Sequence, residues 1–183
     1  MASYYDQVNG LGPRVWYRFN ETAGTPTNSG GLTTTATFNN LLLNEQTDVD
    51  GRAVYFNGTN AHINISQWPS FSLFDDKSFT IETWFKLATQ DTNNRPLFSF
   101  GSFGTDQINL FARELNAIDS NGNSVAGKLH LNPVSIGENA TAGDRDIYST
   151  NTYFDNKWHH VVVAINTTSL RWYIDGQLEA KEH

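Results

Sequence analysis

The chain has no cysteine, which excludes disulfide staples and thiolate zinc sites and leaves no clue to redox compartment. Basic charge is also scarce: 12 Lys plus Arg stand against 19 Asp plus Glu, a net −7. Neutralising a phosphate backbone needs a dense basic patch, so nucleic acid is not an expected partner. No apolar run approaches the roughly 18 residues that would cross a bilayer. The longest lies around Val161 to Ile165, and membrane insertion is not expected. The opening Met1-Ala2-Ser3-Tyr4-Tyr5-Asp6 has neither a basic start nor an apolar stretch, so no signal peptide is read there. The five Asn-x-Ser/Thr sequons, at Asn20, Asn57, Asn64, Asn139 and Asn166, are accordingly read as unmodified.

What the chain does have is aromatic weight. Aromatic residues make up 13% and hydrophobic residues 38% of 183 positions, with 17% charged. Such a composition buries enough apolar surface to offset chain entropy, and the length suits one domain, residues 1–183. Short β-type segments separated by polar turns dominate. Val15 to Phe19 alternates, Thr33 to Phe38 is β-branched, and Ala53 to Phe56 and His62 to Ile65 flank an Asn57-Gly58-Thr59-Asn60 turn. Phe79 to Leu87 keeps period two, with Phe79, Ile81, Phe85 and Leu87 on one face and Thr80, Glu82, Trp84 and Lys86 on the other. Leu97 to Phe103, Ile108 to Arg113, Lys128 to Leu131, Trp158 to Ile165 and Leu170 to Ile174 follow, with Asn121-Gly122 and Asp175-Gly176 as hairpin turn signals. No segment carries a convincing apolar period of 3.6. The expectation is an all-β, antiparallel two-sheet jelly-roll sandwich.

Four motifs in order resemble the laminin-G-like, concanavalin A-like domain family. They are Leu11-Gly12-Pro13 with Tyr17-Arg18-Phe19-Asn20-Glu21; Gly51-Arg52-Ala53-Val54-Tyr55-Phe56-Asn57-Gly58; Ser78 to Lys86; and Lys157-Trp158-His159-His160-Val161-Val162-Val163 with Leu170 to Gly176. The resemblance implies two antiparallel sheets with loops gathered along one rim, and makes Trp16, Trp158 and Trp172 core residues. Family members continue past the Tyr-Ile-Asp-Gly hairpin into closing strands, whereas this sequence stops at His183. An edge exposed by that omission is an aggregation liability. The chain therefore reads as an N-terminal fragment, or as a module completed by strand complementation from a partner.

Catalytic patterns are missing. Glycan hydrolases of this architecture alternate carboxylates along one strand so that both face a cleft, and no such spacing occurs. Asp144 and Asp146 flank Arg145 in a Gly- and Thr-rich stretch that reads as a solvated turn. Gly101-Ser102-Phe103-Gly104 is not a nucleophile elbow, and Gly10-Leu11-Gly12 lacks a third glycine. The expectation is a protein that is not an enzyme.

Binding is the expectation instead. A sugar ring offers an apolar C–H face and a hydroxyl rim, so its reader needs an exposed ring beside Asn, Asp or Arg. Trp68, Tyr148 and Tyr153 in loop-like surroundings and Trp84 on its polar strand face are the candidate ligand contacts, each weighed against an ordinary packing role. Calcium, the candidate cofactor, suits the oxygen ligands of Asp119, Asn121 and Asn123, although the same residues read more readily as a hairpin turn built on Asn121-Gly122. Asp91-Thr92-Asn93-Asn94 and Asp144-Arg145-Asp146 compete for it. His159-His160 is a poor metal pair, because neighbours on a strand point to opposite faces. The function expected is a carbohydrate-binding or adhesion module for a glycan or host-surface polysaccharide, displayed on a virion (bacteriophage) or bacterial surface. The alternative is a structural decoration, knob or tail-fibre module that contacts other virion or surface proteins.

Overall fold

The computed structural model describes residues 3–46, 51–66, 78–88, 90–101, 107–134, 146–166 and 169–182. One short helix and twelve strands are ordered α1 (Tyr4–Gly10), β1 (Thr35–Asn39), β2 (Leu42–Gln46), β3 (Arg52–Tyr55), β4 (His62–Ser66), β5 (Phe79–Lys86), β6 (Arg95–Gly101), β7 (Gln107–Ala112), β8 (Lys128–Val134), β9 (Ile147–Thr152), β10 (Trp158–Ile165), β11 (Leu170–Ile174) and β12 (Gln177–Glu182). They fall into two compact units, Met1–Phe71 and Ser72–His183.

The first unit is held mainly by polar side chains that bind backbone. Helix α1 begins in a capping box: Asp6 N–H donates to Ser3 Oγ at 3.1 Å, and Ser3 N–H donates to Asp6 Oδ2 at 3.2 Å. It buries no residue, which is why the sequence shows no helical apolar period there. The segment from Val15 to Phe19 alternates like a strand yet forms only an isolated bridge, Tyr17 to Asn28. Two features stop a ladder: Asn28 Oδ1 takes the Trp16 N–H at 2.8 Å, and Phe19 has φ 55°. Asn28 also accepts from Gly30 N–H at 2.9 Å and donates to Leu32 O and to Thr34 Oγ1 at 3.0 Å. Beyond it the chain forms two ribbons, β1 with β4 and β2 with β3. The Asn57 to Asn60 turn forms as expected, with Asn57 Oδ1 accepting three backbone N–H groups. The strands flanking it do not pair with each other. Ala36 is the buried hydrophobic of this unit, at 2% exposure.

The second unit is a sandwich of two four-stranded antiparallel sheets, β12-β11-β10-β5 and β6-β7-β8-β9. Period-two alternation decides which residues meet inside. Strand β10 alternates half-buried and buried along its whole length, sending His159, Val161, Val163 and Ile165 inward. They meet Phe85, Leu170, Trp172 and Ile174 on their own sheet and Ile108, Leu110, Ala112, Leu129, Leu131 and Ile147 on the other. Trp172 is fully buried, as the resemblance implied, whereas Trp16 and Trp158 are only half-buried. Trp158 has the parity of His160, so the register places it on the outward face. The hairpin joining β11 to β12 is the two-residue Asp175-Gly176 turn, with φ 51° and 77°, the positive pair that suits strand twist. At the sandwich edge Glu179 of β12 reaches β9. Its Oε2 accepts from Thr150 N–H at 3.0 Å and Thr150 O–H at 2.8 Å, while its Oε1 accepts from Tyr153 O–H at 3.2 Å.

Candidate functional site

Sending Leu110, Ala112, Leu129, Leu131 and Ile147 into the core leaves the alternate residues of β7, β8 and β9 on the outward face. Phe111 pairs with His130 and His130 with Tyr148 in the strand register, so three rings form a row across three strands. His130 stacks on Tyr148 with centroids 4.4 Å apart and planes at 24°, and meets Phe111 edge-on at 4.6 Å. Such ring pairs each contribute about 0.5–1.5 kcal/mol beyond area burial. Arg113, two residues beyond Phe111 on the same face, places its guanidinium carbon 5.6 Å from that ring's centre.

Amides and one carboxylate border the row. Asn132 Nδ2 donates to Asp146 Oδ1, and Ser99 O–H donates to Asn109 Oδ1 at 2.6 Å. His130 Nε2 lies 2.8 Å from the same Asp146 oxygen but off the line of a good hydrogen bond, and the residue is 5% exposed. Burial pushes its pKa below the usual histidine value, with Arg113 adding to that and Asp146 opposing it. His130 is therefore a neutral ring at neutral pH. Burial, with Asp146 adding to it, pushes the Tyr148 hydroxyl up, so Tyr148 stays a neutral donor. Next to the row a shallow recess of about 310 Å³ is lined by Asn94, Pro96, Ser99, Asn109 and Phe111 among others. A larger recess in the first unit, about 400 Å³, is lined by threonines, Pro26, Asn28, Leu32 and Ala36. It offers neither a ring nor a charge, so it lacks the platform that sugar recognition requires.

The expected contact residues do not assemble into one site. Tyr148 lies on strand β9 rather than in a loop, and is the candidate that joins the row. Tyr153 follows β9 and is buried at 6% exposure, edge-on to His159 at 4.8 Å. Its hydroxyl is committed to Glu179, so it packs the core rather than presenting a surface ring. Trp84 sits on the outward face of the other sheet, as its alternation predicts, stacked on His160 at 4.7 Å; His160 Nε2 lies 2.9 Å from Glu82 Oε1. Trp68 lies outside the described residues. His130 and Phe111 are the functional candidates that sequence reasoning missed. Only their cross-strand register marks them, and no local motif does.

Asp119, Asn121 and Asn123 do come together, in the hairpin turn. Asp119 Oδ1 accepts from the Asn121 N–H at 2.9 Å and the Asn123 N–H at 2.8 Å, and Oδ2 accepts from Asn123 Nδ2 at 3.1 Å. The Asn123 side-chain bond, with backbone bonds beside it, holds the Asp119 carboxyl below its ordinary value. Both carboxylate oxygens are thus engaged within the turn, and a cation would have to take them from these donors. Of the competing segments, Asp91 caps Asn93 N–H at 2.8 Å and pairs with Arg95, while Asp144 lies outside the described residues. Among the described residues, no three His, Cys, Asp or Glu side chains gather as a metal-binding group.

His159 and His160 point to opposite faces. His159, 9% exposed, bridges two carboxylates: Nδ1 lies 2.7 Å from Asp175 Oδ2 and Nε2 lies 2.9 Å from Asp155 Oδ1. Burial disfavours its charge, but the hydrogen bonds and charges of Asp175 and Asp155 outweigh it and raise the pKa. The His159 hydrogen bond in turn lowers that of Asp155. Asp175 Oδ1 also accepts the His160 N–H at 2.8 Å, so this pairing locks the β11–β12 turn to β10.

The sequence of residues 57–183, which includes the Trp158 to Ile165 and Leu170 to Ile174 hairpin, matches the family Laminin_G_3, described as the concanavalin A-like lectin/glucanases superfamily. The chain belongs to this superfamily. The match contains every strand of the sandwich, the Phe111–His130–Tyr148 row and the Asp119 turn, and begins at Asn57 within the first unit. The Leu11 to Glu21 motif lies ahead of it. No curated protein matches the chain.

Proposed function

We propose that this superfamily member is a non-catalytic carbohydrate-binding module, and that a saccharide lies along the outward face of β6-β7-β8-β9. The carrying observation is the row Phe111–His130–Tyr148 bordered by Asn109, Asn132 and Asp146. The half-buried rings of Phe111 and Tyr148, braced by the buried His130, supply the apolar platform for C–H faces, and amides supply paired donor and acceptor groups for hydroxyls. Glycoside cleavage needs two carboxylates flanking one bond. Among the described outward positions of these strands Asp146 is the one carboxylate, and it already accepts from Asn132. The reading places the module on a surface that meets host glycan, a virion or a bacterial envelope, consistent with the adhesive use of a shallow face rather than a deep pocket. The test is a glycan array probed with the multivalently displayed protein, in calcium and again in chelator. Binding that Tyr148→Ala abolishes in a variant that stays folded, its melting temperature lowered only modestly by loss of the His130 stack, supports the face; unchanged binding in that variant removes it. Loss in chelator, matched by loss in Asp119→Ala, would add a calcium ion at the Asp119 turn to the reading.

One observation favours a second reading, an assembly module. Leu42 and Tyr55, directly paired on the β2–β3 ribbon, are 58% and 52% exposed, with Phe56 47% exposed beside them. Protein contacts in a larger particle would cover such a ribbon. Sedimentation of the purified chain decides: a stable monomer counts against it, and oligomers dispersed by Tyr55→Ser count for it.

A further inference from the structure

The saccharide-binding face carries a charge arrangement that its fold does not need. Arg113, just past the end of β7, faces Gly127 and Lys128 at the start of β8, its N–H donating to Lys128 O at 2.8 Å and its carbonyl accepting from Gly127 N–H at 3.1 Å. Lys128 has the parity of His130, and Arg113 lies over Phe111, so both side chains belong to the outward face. Both are half-buried. Among the described residues neither makes an ion pair, and Arg113 Nε is buried there without a hydrogen-bond partner.

Like charges that face each other across neighbouring antiparallel strands repel. A chain of net −7 has abundant carboxylates with which to relieve such a pair, and other cations use them: Arg95 has Asp91 and Lys157 has Asp155. The uncompensated pair stands at the end of the aromatic row, where a bound sugar would present its ring substituents. A guanidinium fork matches a planar carboxylate, and the neighbouring ammonium adds a point charge.

We infer that the ligand is an acidic saccharide bearing carboxylates, of the uronic-acid type, with Arg113 and Lys128 receiving the carboxylate while Phe111 and Tyr148 face the sugar ring. The inference rests on the proposed saccharide-binding face and adds the ligand's charge. Association with such a polyanion is electrostatic in part, so it weakens as salt is raised.

The test measures binding of the intact chain to polygalacturonate, to dextran as a neutral polysaccharide, and to dextran sulfate. The expected result is binding to polygalacturonate over the other two, reduced about tenfold or more in Arg113→Gln and in Lys128→Gln. Arg113→Lys, which keeps the charge but loses the fork, falls between. Removing either cation also removes a like charge from beside the other, so the melting temperature of Lys128→Gln holds or rises, which separates lost binding from lost folding. Binding to dextran that is indifferent to both substitutions overturns the acidic ligand and leaves the saccharide module standing. Preference for dextran sulfate overturns the carboxylate. Absence of binding to all three by a folded sample removes the saccharide reading and this inference together.

Discussion

The two units reach order by different physics. The second buries a continuous cluster of fourteen hydrophobic side chains from both of its sheets. The first buries one hydrophobic residue, Ala36, among its described positions, and relies on Asn28, Asn57 and the Ser3–Asp6 box to satisfy backbone groups that no ladder takes. Hydrophobic burial is non-directional and accumulates with area; a side-chain-to-backbone bond contributes only about 0.5–1.5 kcal/mol net but fixes one geometry. The core of the second unit can therefore carry substitutions on its outer face without losing its fold. The first unit has little to spare, because each of its polar anchors holds a whole loop.

Substitutions graded by size break or sharpen this contrast. Trp172→Ala removes the largest fully buried side chain and should cost about 3–5 kcal/mol, read as a lowered denaturation midpoint and fast amide exchange in β10 and β11. Asn28→Ala strands the Trp16 and Gly30 N–H groups and should cost about 1–3 kcal/mol, read as accelerated exchange from Arg14 to Thr34. Should it prove as damaging as Trp172→Ala, polar anchoring is worth more than this ranking allows. Gly30→Ala sharpens the point, since its Cβ would fall 2.6 Å from the Arg14 carbonyl oxygen. The same loop must open to admit it, with a smaller loss if the backbone yields.

The gentlest probe is pH, because two histidines of the second unit titrate in opposition. His159, raised, gives stability that is fully present below its ordinary value of 6.5 and is lost as pH rises through its folded value. His130, lowered, is held neutral, so stability falls as pH drops below 6.5 toward its folded value. The two windows meet at 6.5, with the His130 loss below it and the His159 loss above it, so their combined contribution is greatest near that pH and the two oppose each other only on the acid side. Denaturation midpoints across pH should show His159→Gln deepening the acid-side loss and His130→Gln removing it; parallel profiles for the two variants would contradict the opposed shifts. Further down, Asp155, lowered, contributes stability that is present above its ordinary 3.8 and fades as pH falls through its folded value.

Strands with regular alternation were legible without coordinates. Phe79 to Leu87 and Trp158 to Ile165 show their inward faces directly, and Asp175-Gly176 announces its turn. Strand β9 was not legible, because Ile147-Tyr148-Ser149-Thr150-Asn151-Thr152 is nearly all polar and irregular. The β8–β9 register shifts between Lys128 and His130, and the buried Ser149 hydroxyl accepts the Leu129 N–H at 2.9 Å. Val15 to Phe19 misled in the opposite sense, since apolar alternation says nothing about a side chain such as Asn28 that captures the backbone first. The site was legible only in part. Tyr148 could be suspected from its composition, but its ring partners come from two other strands, and a cross-strand row exists only once register is known.

Glu179 also has a mechanical meaning. Its three bonds to Thr150 and Tyr153 tie β12 to β9, and β9 is the strand that presents Tyr148. Tension applied through β12 would therefore be shared between the β11–β12 ladder and the strand that carries the proposed ligand contact. Load would thus reach the proposed ligand face through Glu179, and Glu179→Ala, which removes all three bonds, would cut that link.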